Sequence, residues 1–143
     1  MQRRMEILRR LERQYIRRAL GIMDLPVLDG MVLHQLDLEG RMRQEDLAQC
    51  FSADKGAVAR AVSRLEEAGL VTRQVSGQCR REKLTALTEA GQASAAWIQA
   101  VLNQWDEIGY QGFTEEERAL FDSFLTRITD NVLKFRHREE NDG

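Results

Sequence analysis

Three cations, Lys55, Arg60 and Arg64, fall on one stretch that also repeats apolar residues at helical spacing, and two more, Arg80 and Arg81, follow at a turn. Basic side chains so arranged suit a polyanion, because each can neutralise a phosphate and release its counterion. Other candidate chemistry is sparse. His34 and His137 lie far apart, without a neighbouring cysteine or a carboxylate pair. There is no phosphate-cradling glycine loop, no G-x-S-x-G and no metal-ligand spacing. The acidic run Glu115-Glu116-Glu117 reads as a helix start favoured by the macrodipole, not as a catalytic pair. The residues point to a binding protein, with no catalytic residues, no metal and no cofactor.

The elements that must position these cations can be read around them. Asp54 is an N-cap candidate, since its carboxylate can accept an orphan N–H of the first turn. Val58, Ala61, Val62 and Leu65 then form one apolar face, which leaves some of Lys55, Arg60 and Arg64 free to face outward. Gly69 stands where a left-handed C′ residue is wanted. Residues 70–75 and 83–87 read as short strands, with Ser76-Gly77 as turn chemistry between them and Arg80 and Arg81 at the tip. Residues 44–51 form a short helix before a turn at Ser52-Ala53. A helix able to enter a major groove, followed by a basic-tipped ribbon, is the shape of a winged helix-turn-helix.

Composition sets outer bounds. One domain's worth of chain, 143 residues with 43% hydrophobic and 31% charged, reads as globular and helix-rich. The net charge of −2 does not announce a nucleic-acid binder, but its distribution does. Residues 1–18 carry seven Arg against two Glu, and residues 54–88 carry seven basic against four acidic side chains. The intervening and following stretches are acidic. Two cysteines are too few for a disulfide framework, no apolar run reaches transmembrane length, and Glu6 and Glu12 argue against a transit peptide. The expectation is a cytoplasmic protein without membrane contact.

Flanking helices are expected on both sides. Residues 1–20 are amphipathic, with Met5, Leu8, Tyr15, Ala19 and, just beyond, Ile22 on one face and arginines on the other. That basic face reads as solvated surface or as part of a dimerisation helix. Asp24 can cap a second helix with Pro26 in its first turn, running to about Leu38 and ending at Gly40. Thr88-Glu89 opens a long helix to about Ile108, and Thr114-x-x-Glu117 is a capping box for a last one ending near Arg138, with a frayed tail over residues 137–143. The apolar surface of these late helices exceeds what one small domain needs, so an identical partner would bury it most simply.

The run D-K-x-x-V-x-R-x-V-x-R-L-E-x-x-G-L-V-x-R from Asp54, joined to R-R-x-K-L-x-x-L-T-E-A-G ending at Gly91, resembles the MarR family of bacterial transcription regulators. The specific part covers residues 44–91, and the flanking helices fit the family's plan over nearly the whole chain. The resemblance implies a mainly α fold with a small β-wing, in which a winged helix-turn-helix over residues 26–88 stands between dimerisation helices at 1–20 and 89–138. It implies a homodimer that binds double-stranded DNA as a repressor. Lys55, Gly56, Ala59, Arg60, Arg64, Arg80 and Arg81 are its candidate contacts. It also implies release by a small aromatic or phenolic ligand, for which Tyr15, His34 and Trp97 are the candidate pocket residues.

Three departures from the family pattern matter. Ser52 stands where the family usually has glycine, so the turn is expected to be less sharp. Gly56 and Ala57 replace a Ser or Thr pair whose hydroxyls commonly reach phosphates or bases. Either Gly56 lets the DNA approach closely, or the chain binds DNA weakly through Lys55, Arg60 and the wing. Cys79 stands where an Asp usually braces the wing arginine. Next to Arg80 and Arg81 it is either a passive small residue or a thiol primed for oxidation. A protein-interaction adaptor of the same fold, or a redox-responsive regulator acting through Cys79, are the alternatives.

Overall fold

The computed structural model describes the backbone of residues 1–76 and 79–143 and the side chains of residues 1–75 and 83–143. In chain order the elements are α1 (Gln2–Ile22), α2 (Val27–Glu39), β1 (Met42–Arg43), α3 (Gln44–Phe51), α4 (Lys55–Glu67), β2 (Val71–Ser76), β3 (Cys79–Leu87), α5 (Glu89–Gly109) and α6 (Glu115–Asp142). The sheet is antiparallel with order β1-β3-β2, and Thr85 of β3 pairs with both Met42 and Arg73. The chain forms two compact units, Met1–Trp105 and Asp106–Gly143.

In the first unit the core is built from the periodic apolar residues of every helix. Leu33 and Leu36 of α2, Leu47 of α3, Val58, Val62 and Leu65 of α4, Val71 of β2 and Ile98 of α5 are all buried in one cluster. Two glycines permit close crossings. A Cβ on Gly30 would fall 2.7 Å from Leu20 Cδ1, the one buried residue of α1. A Cβ on Gly91 would overlap the carbonyl oxygen of Leu70. That second approach explains the glycine of the T-E-A-G run, because Thr88 clasps the same turn. Its N–H donates to Leu70 O, its hydroxyl donates to Gly69 O at 2.6 Å, and the hydroxyl accepts from Gly91 N.

The second unit holds the end of α5, a turn with Gly112 at φ +86°, and α6. The expected capping box is present, with Glu117 N donating to the Thr114 hydroxyl at 3.1 Å and Thr114 N to the Glu117 carboxylate at 3.3 Å. Tyr110 donates to the Asp122 carboxylate at 2.6 Å and packs edge-on against Phe113 and Phe121. The carboxylate disfavours the phenolate, so the Tyr110 hydroxyl is pushed up to about 12. Arg118 lies over the same ring and pairs with Glu107 at 2.7 Å. Within α6 itself no residue is buried, and Leu120, Phe121, Phe124, Leu125, Ile128, Val132 and Phe135 are exposed.

Several local expectations need correction. Asp24 does not cap α2: it sits in the preceding turn at φ +51°, and Pro26 occupies the N-cap position without a side-chain bond. A proline disfavours helical geometry in the residue before it, so α2 cannot begin earlier. β3 begins at Cys79 instead of residue 83, β2 keeps its expected length but is shifted by one residue, and β1 adds a third strand that its two residues are too few to betray by alternation. The helix continues through residues 137–142, where fraying was expected, to Asp142. Arg136 and His137 both reach Glu140 there, at 3.7 and 3.6 Å, and no glycine intervenes before Gly143.

Ser52 keeps the turn sharp by adopting the left-handed conformation itself, at φ +47° and ψ +39°. A side chain in that region costs roughly 1–2 kcal/mol that glycine does not pay. Ser52→Gly should therefore raise stability by about 0.5–1 kcal/mol, once glycine's larger unfolded-state entropy is set against the relief. Urea unfolding followed by circular dichroism measures it. A destabilised variant would mean that the serine hydroxyl contributes more than the strain removes.

Candidate nucleic-acid interface

Helix α4 is fixed on three sides, and its remaining side carries the candidate contacts. Val58, Ala61, Val62 and Leu65 anchor its inner face. Asp54 caps its start, accepting from Ala57 N at 3.1 Å. Its end closes in a Schellman motif, with Leu70 N donating to Leu65 O, Gly69 N to Glu66 O, and Gly69 at φ +75°. Lys55 and Arg60 stand exposed on the outer side near the amino end, with Gly56 and Ala59 between them half-buried.

Two guanidinium groups tie this helix to its neighbours. Arg73 of β2 donates from Nε to Gln44 Oε1 at 2.9 Å, and from Nη2 to the Ser63 hydroxyl at 3.0 Å and Ala59 O at 3.4 Å. Its Nη1 meets Glu66 at 3.3 Å. One side chain thus joins the wing, the start of α3 and two turns of α4. Arg64, on the flank of α4, makes a bidentate pair with Asp29 of α2, at 3.0 Å from Nε and 2.7 Å from Nη2. Asp29 is only 2% exposed, so the fork satisfies a carboxylate withdrawn from water. The hydrogen bonds it donates to that carboxylate hold the Arg64 guanidinium even more firmly protonated than usual.

The sequence-derived candidates therefore fall into three groups. Lys55, Gly56, Ala59 and Arg60 lie together on the outer edge of α4. Arg64 lies on the same helix, but its guanidinium is engaged by Asp29. Arg80, Arg81 and Cys79 lie outside the described side chains, as does the Ser76-Gly77 turn. Sequence reasoning missed the positioning role of Arg73 and the partnership of Asp29. Arg73 closes the quoted L-E-x-x-G-L-V-x-R run, so its position was visible but its reach was not.

The pocket candidates are separately placed. Tyr15 donates to Gln104 at 3.1 Å and packs on Trp105 with ring centroids 5.2 Å apart. Trp97 packs against the core cluster. His34 is half-buried, with an Nδ1 that is shielded from solvent and has no hydrogen-bond partner. Cys50 is exposed on α3, at the rim of a cleft that also holds Gln35, Glu39 and the Arg43–Asp46 pair. Among the described residues there is no group of three metal-ligating side chains, and no helix is long and apolar enough to cross a membrane.

The Asp29–Arg64 pair has a measurable signature. Arg64→Ala should cost about 2–3 kcal/mol, below the range for a fully buried pair, because Arg64 itself is half exposed. Adding Asp29→Ala should recover part of that loss, since it removes the stranded carboxylate. Urea denaturation of the four proteins in the cycle checks this, and strictly additive losses would contradict it.

Comparison with known proteins follows the same geometry. The MarR family model matches residues 23–82, which include α2, α3, α4 and β2. A crystal structure of MarR is similar over 96% of this chain and 94% of its own, at 30% identity and a TM-score of 0.83. A MarR transcriptional regulator from Methanosarcina mazei Go1 is 27% identical, with 93% and 96% covered and a TM-score of 0.82. A putative MarR family regulator from Listeria monocytogenes, solved in complex with a 26mer DNA, is 21% identical, with 92% and 88% covered and a TM-score of 0.76. The chain belongs to the MarR family, whose members are transcriptional regulators and not enzymes.

Proposed function

We propose that this protein is a homodimeric repressor that reads a pseudopalindromic DNA operator with α4. The observation that carries the proposal is the immobilised α4, its inner face buried and its flank pinned by Arg73 and Arg64, with Lys55 and Arg60 exposed at the amino end. A reading helix must enter the groove as a rigid body, because ordering it on contact would subtract from affinity. The DNA complex of the Listeria monocytogenes relative supports the same use of the fold. In a dimer the two α4 helices would occupy successive major grooves about 34 Å apart. Arg80 and Arg81 would follow the wing to the backbone or minor groove.

The second copy is inferred from α6. Its exposed apolar residues recur along one helix of 28 residues, none of them fully buried. Phe121, Phe124 and Ile128 are 44%, 48% and 46% exposed, so covering them would add roughly half of the 1.5–3 kcal/mol that full burial of such a side chain is worth. Met5, Ile7, Leu8 and Leu11 of α1 are also exposed. A twofold partner covering both helices would recover this surface. The proposal extends to a small aromatic or phenolic ligand that releases DNA, an extension that rests on the resemblance to the MarR family.

One assay tests the DNA reading: selection of genomic fragments by the purified protein at two salt concentrations, with and without phenol. The proposal expects a recovered pseudopalindrome, binding that weakens steeply with salt, and weaker retention with phenol. Lys55→Ala and Arg60→Ala should each reduce the salt slope by about two, one contact in each subunit of the dimer. No duplex binding at low salt would overturn the proposal in favour of an adaptor that docks on another protein. Sedimentation tests the dimer. The wild type should run at about twice the 16.5 kDa of one chain, and Phe124→Asp should run as a folded monomer. A wild-type monomer would contradict the dimer.

A further inference from the structure

We propose that the arginine face of α1 is a second surface for duplex DNA, one that holds the phosphate backbone without reading bases and is separate from the surface on α4. The inference rests on the DNA-binding reading and goes beyond it, since contacts by α4 and the wing leave these arginines unused.

The packing of α1 decides which of its sides stays in water. Leu20 is buried against Gly30, Ile16 packs on the core cluster and Tyr15 packs on Trp105. Those contacts turn Arg3, Arg10 and Arg17 to the opposite side. Residues seven apart drift only about 20° around a helix, so the three form one row, about 21 Å long. Arg13 and Arg18 flank it, and all seven arginines of the helix are exposed. Among the described residues none of the seven has a carboxylate partner. Glu6 stands three or four positions from Arg3, Arg9 and Arg10 and makes no ion pair with them.

The helix gains nothing from this charge by itself. Arg3 and Arg4 lie in the first turn, where the macrodipole disfavours cations, and that turn has no acidic residue and no side-chain cap. Arg9–Arg13 and Arg13–Arg17 are like-charge pairs four apart, which weaken a helix. An extended anion along the row relieves both costs, whereas a solvated row leaves them standing. Local rules broken over a whole face mark a functional surface.

The chemistry of the row selects the anion. Every cation of α1 is arginine and none is lysine, and a guanidinium fork meets phosphate oxygens two at a time. A lipid surface would need the apolar side of the helix to enter the bilayer, and Tyr15, Ile16 and Leu20 already engage that side with the protein. Duplex phosphate is the polyanion that a DNA-binding chain meets.

The experiment compares the full-length wild type with Arg3→Gln/Arg10→Gln/Arg17→Gln, since glutamine is a good helix former, and with lysine at the same three positions. Fluorescence anisotropy across a salt series reads affinity for the selected duplex and for a random one. The glutamine variant should bind both duplexes about tenfold more weakly or worse at low salt, with a salt slope reduced by about two or more, at least one contact in each subunit. Its base preference, read on a library varied one base pair at a time, should be unchanged. The lysine variant should keep most of the slope. Unchanged affinity and slope in the glutamine variant would overturn the proposal. So would a loss confined to the selected duplex or an altered base preference, because the row would then belong to the reading surface. Dissociation of the glutamine variant to monomers in sedimentation would overturn it also, and would assign the row to the acidic late helices of a second copy. If the wild type binds no duplex, the DNA reading falls and this inference with it. If it binds and the glutamine variant matches it, this inference alone falls.

Discussion

The contacts of Arg73 are the constraint on which the orientation of the proposed reading surface depends. A winged helix of this size has a thin core: among the described residues the sheet has three strands, and one of them is two residues long. Apolar packing fixes the depth of α4 through Val58, Val62 and Leu65, but such packing is non-directional and tolerates small rotations about the helix axis. The planar fork of Arg73 removes that freedom, because its donors meet Gln44, Ala59, Ser63 and Glu66 at once. Asp29 and Arg64 provide the same service on the other flank. Two directional ties and one buried face determine which side chains look outward.

This arrangement divides the cations of the chain by task. Arg64 and Arg73 are spent on protein carboxylates, amides and carbonyls. Lys55 and Arg60 are not so engaged in the described hydrogen bonds, and they keep their exposure. The net charge of −2 is therefore a poor guide to binding, since what a phosphate meets is local. The acidic surplus lies largely in the last third of the chain, on helices whose proposed task is pairing with a second copy.

Much of this was legible beforehand, for physical reasons. The start of α4 follows from the Asp54 cap, its inner face from the apolar period, and Gly69 from the need for a left-handed C′ residue. The exposed character of Lys55 and Arg60 follows from the same wheel. What was not legible is tertiary. Asp29 and Arg64 are 35 residues apart, and nothing in local spacing couples them. Arg73 and Gln44 are separated by 29. Ser52 shows the converse limit. Its residue type argued for a looser turn, but Leu47, Ala48 and Val58 on either side are buried, and their packing holds the serine in the strained conformation. Asp24 looked like a cap by type, yet Pro26 sets the helix start.

The central claim is that α4 enters the major groove from each half of a dimer. Protection of guanine N7 from dimethyl sulfate on the selected duplex tests it most directly, because N7 lies only in the major groove. The account predicts two protected clusters about ten base pairs apart, related by the symmetry of the site. Protection confined to one cluster, or binding that leaves every N7 reactive, would contradict it.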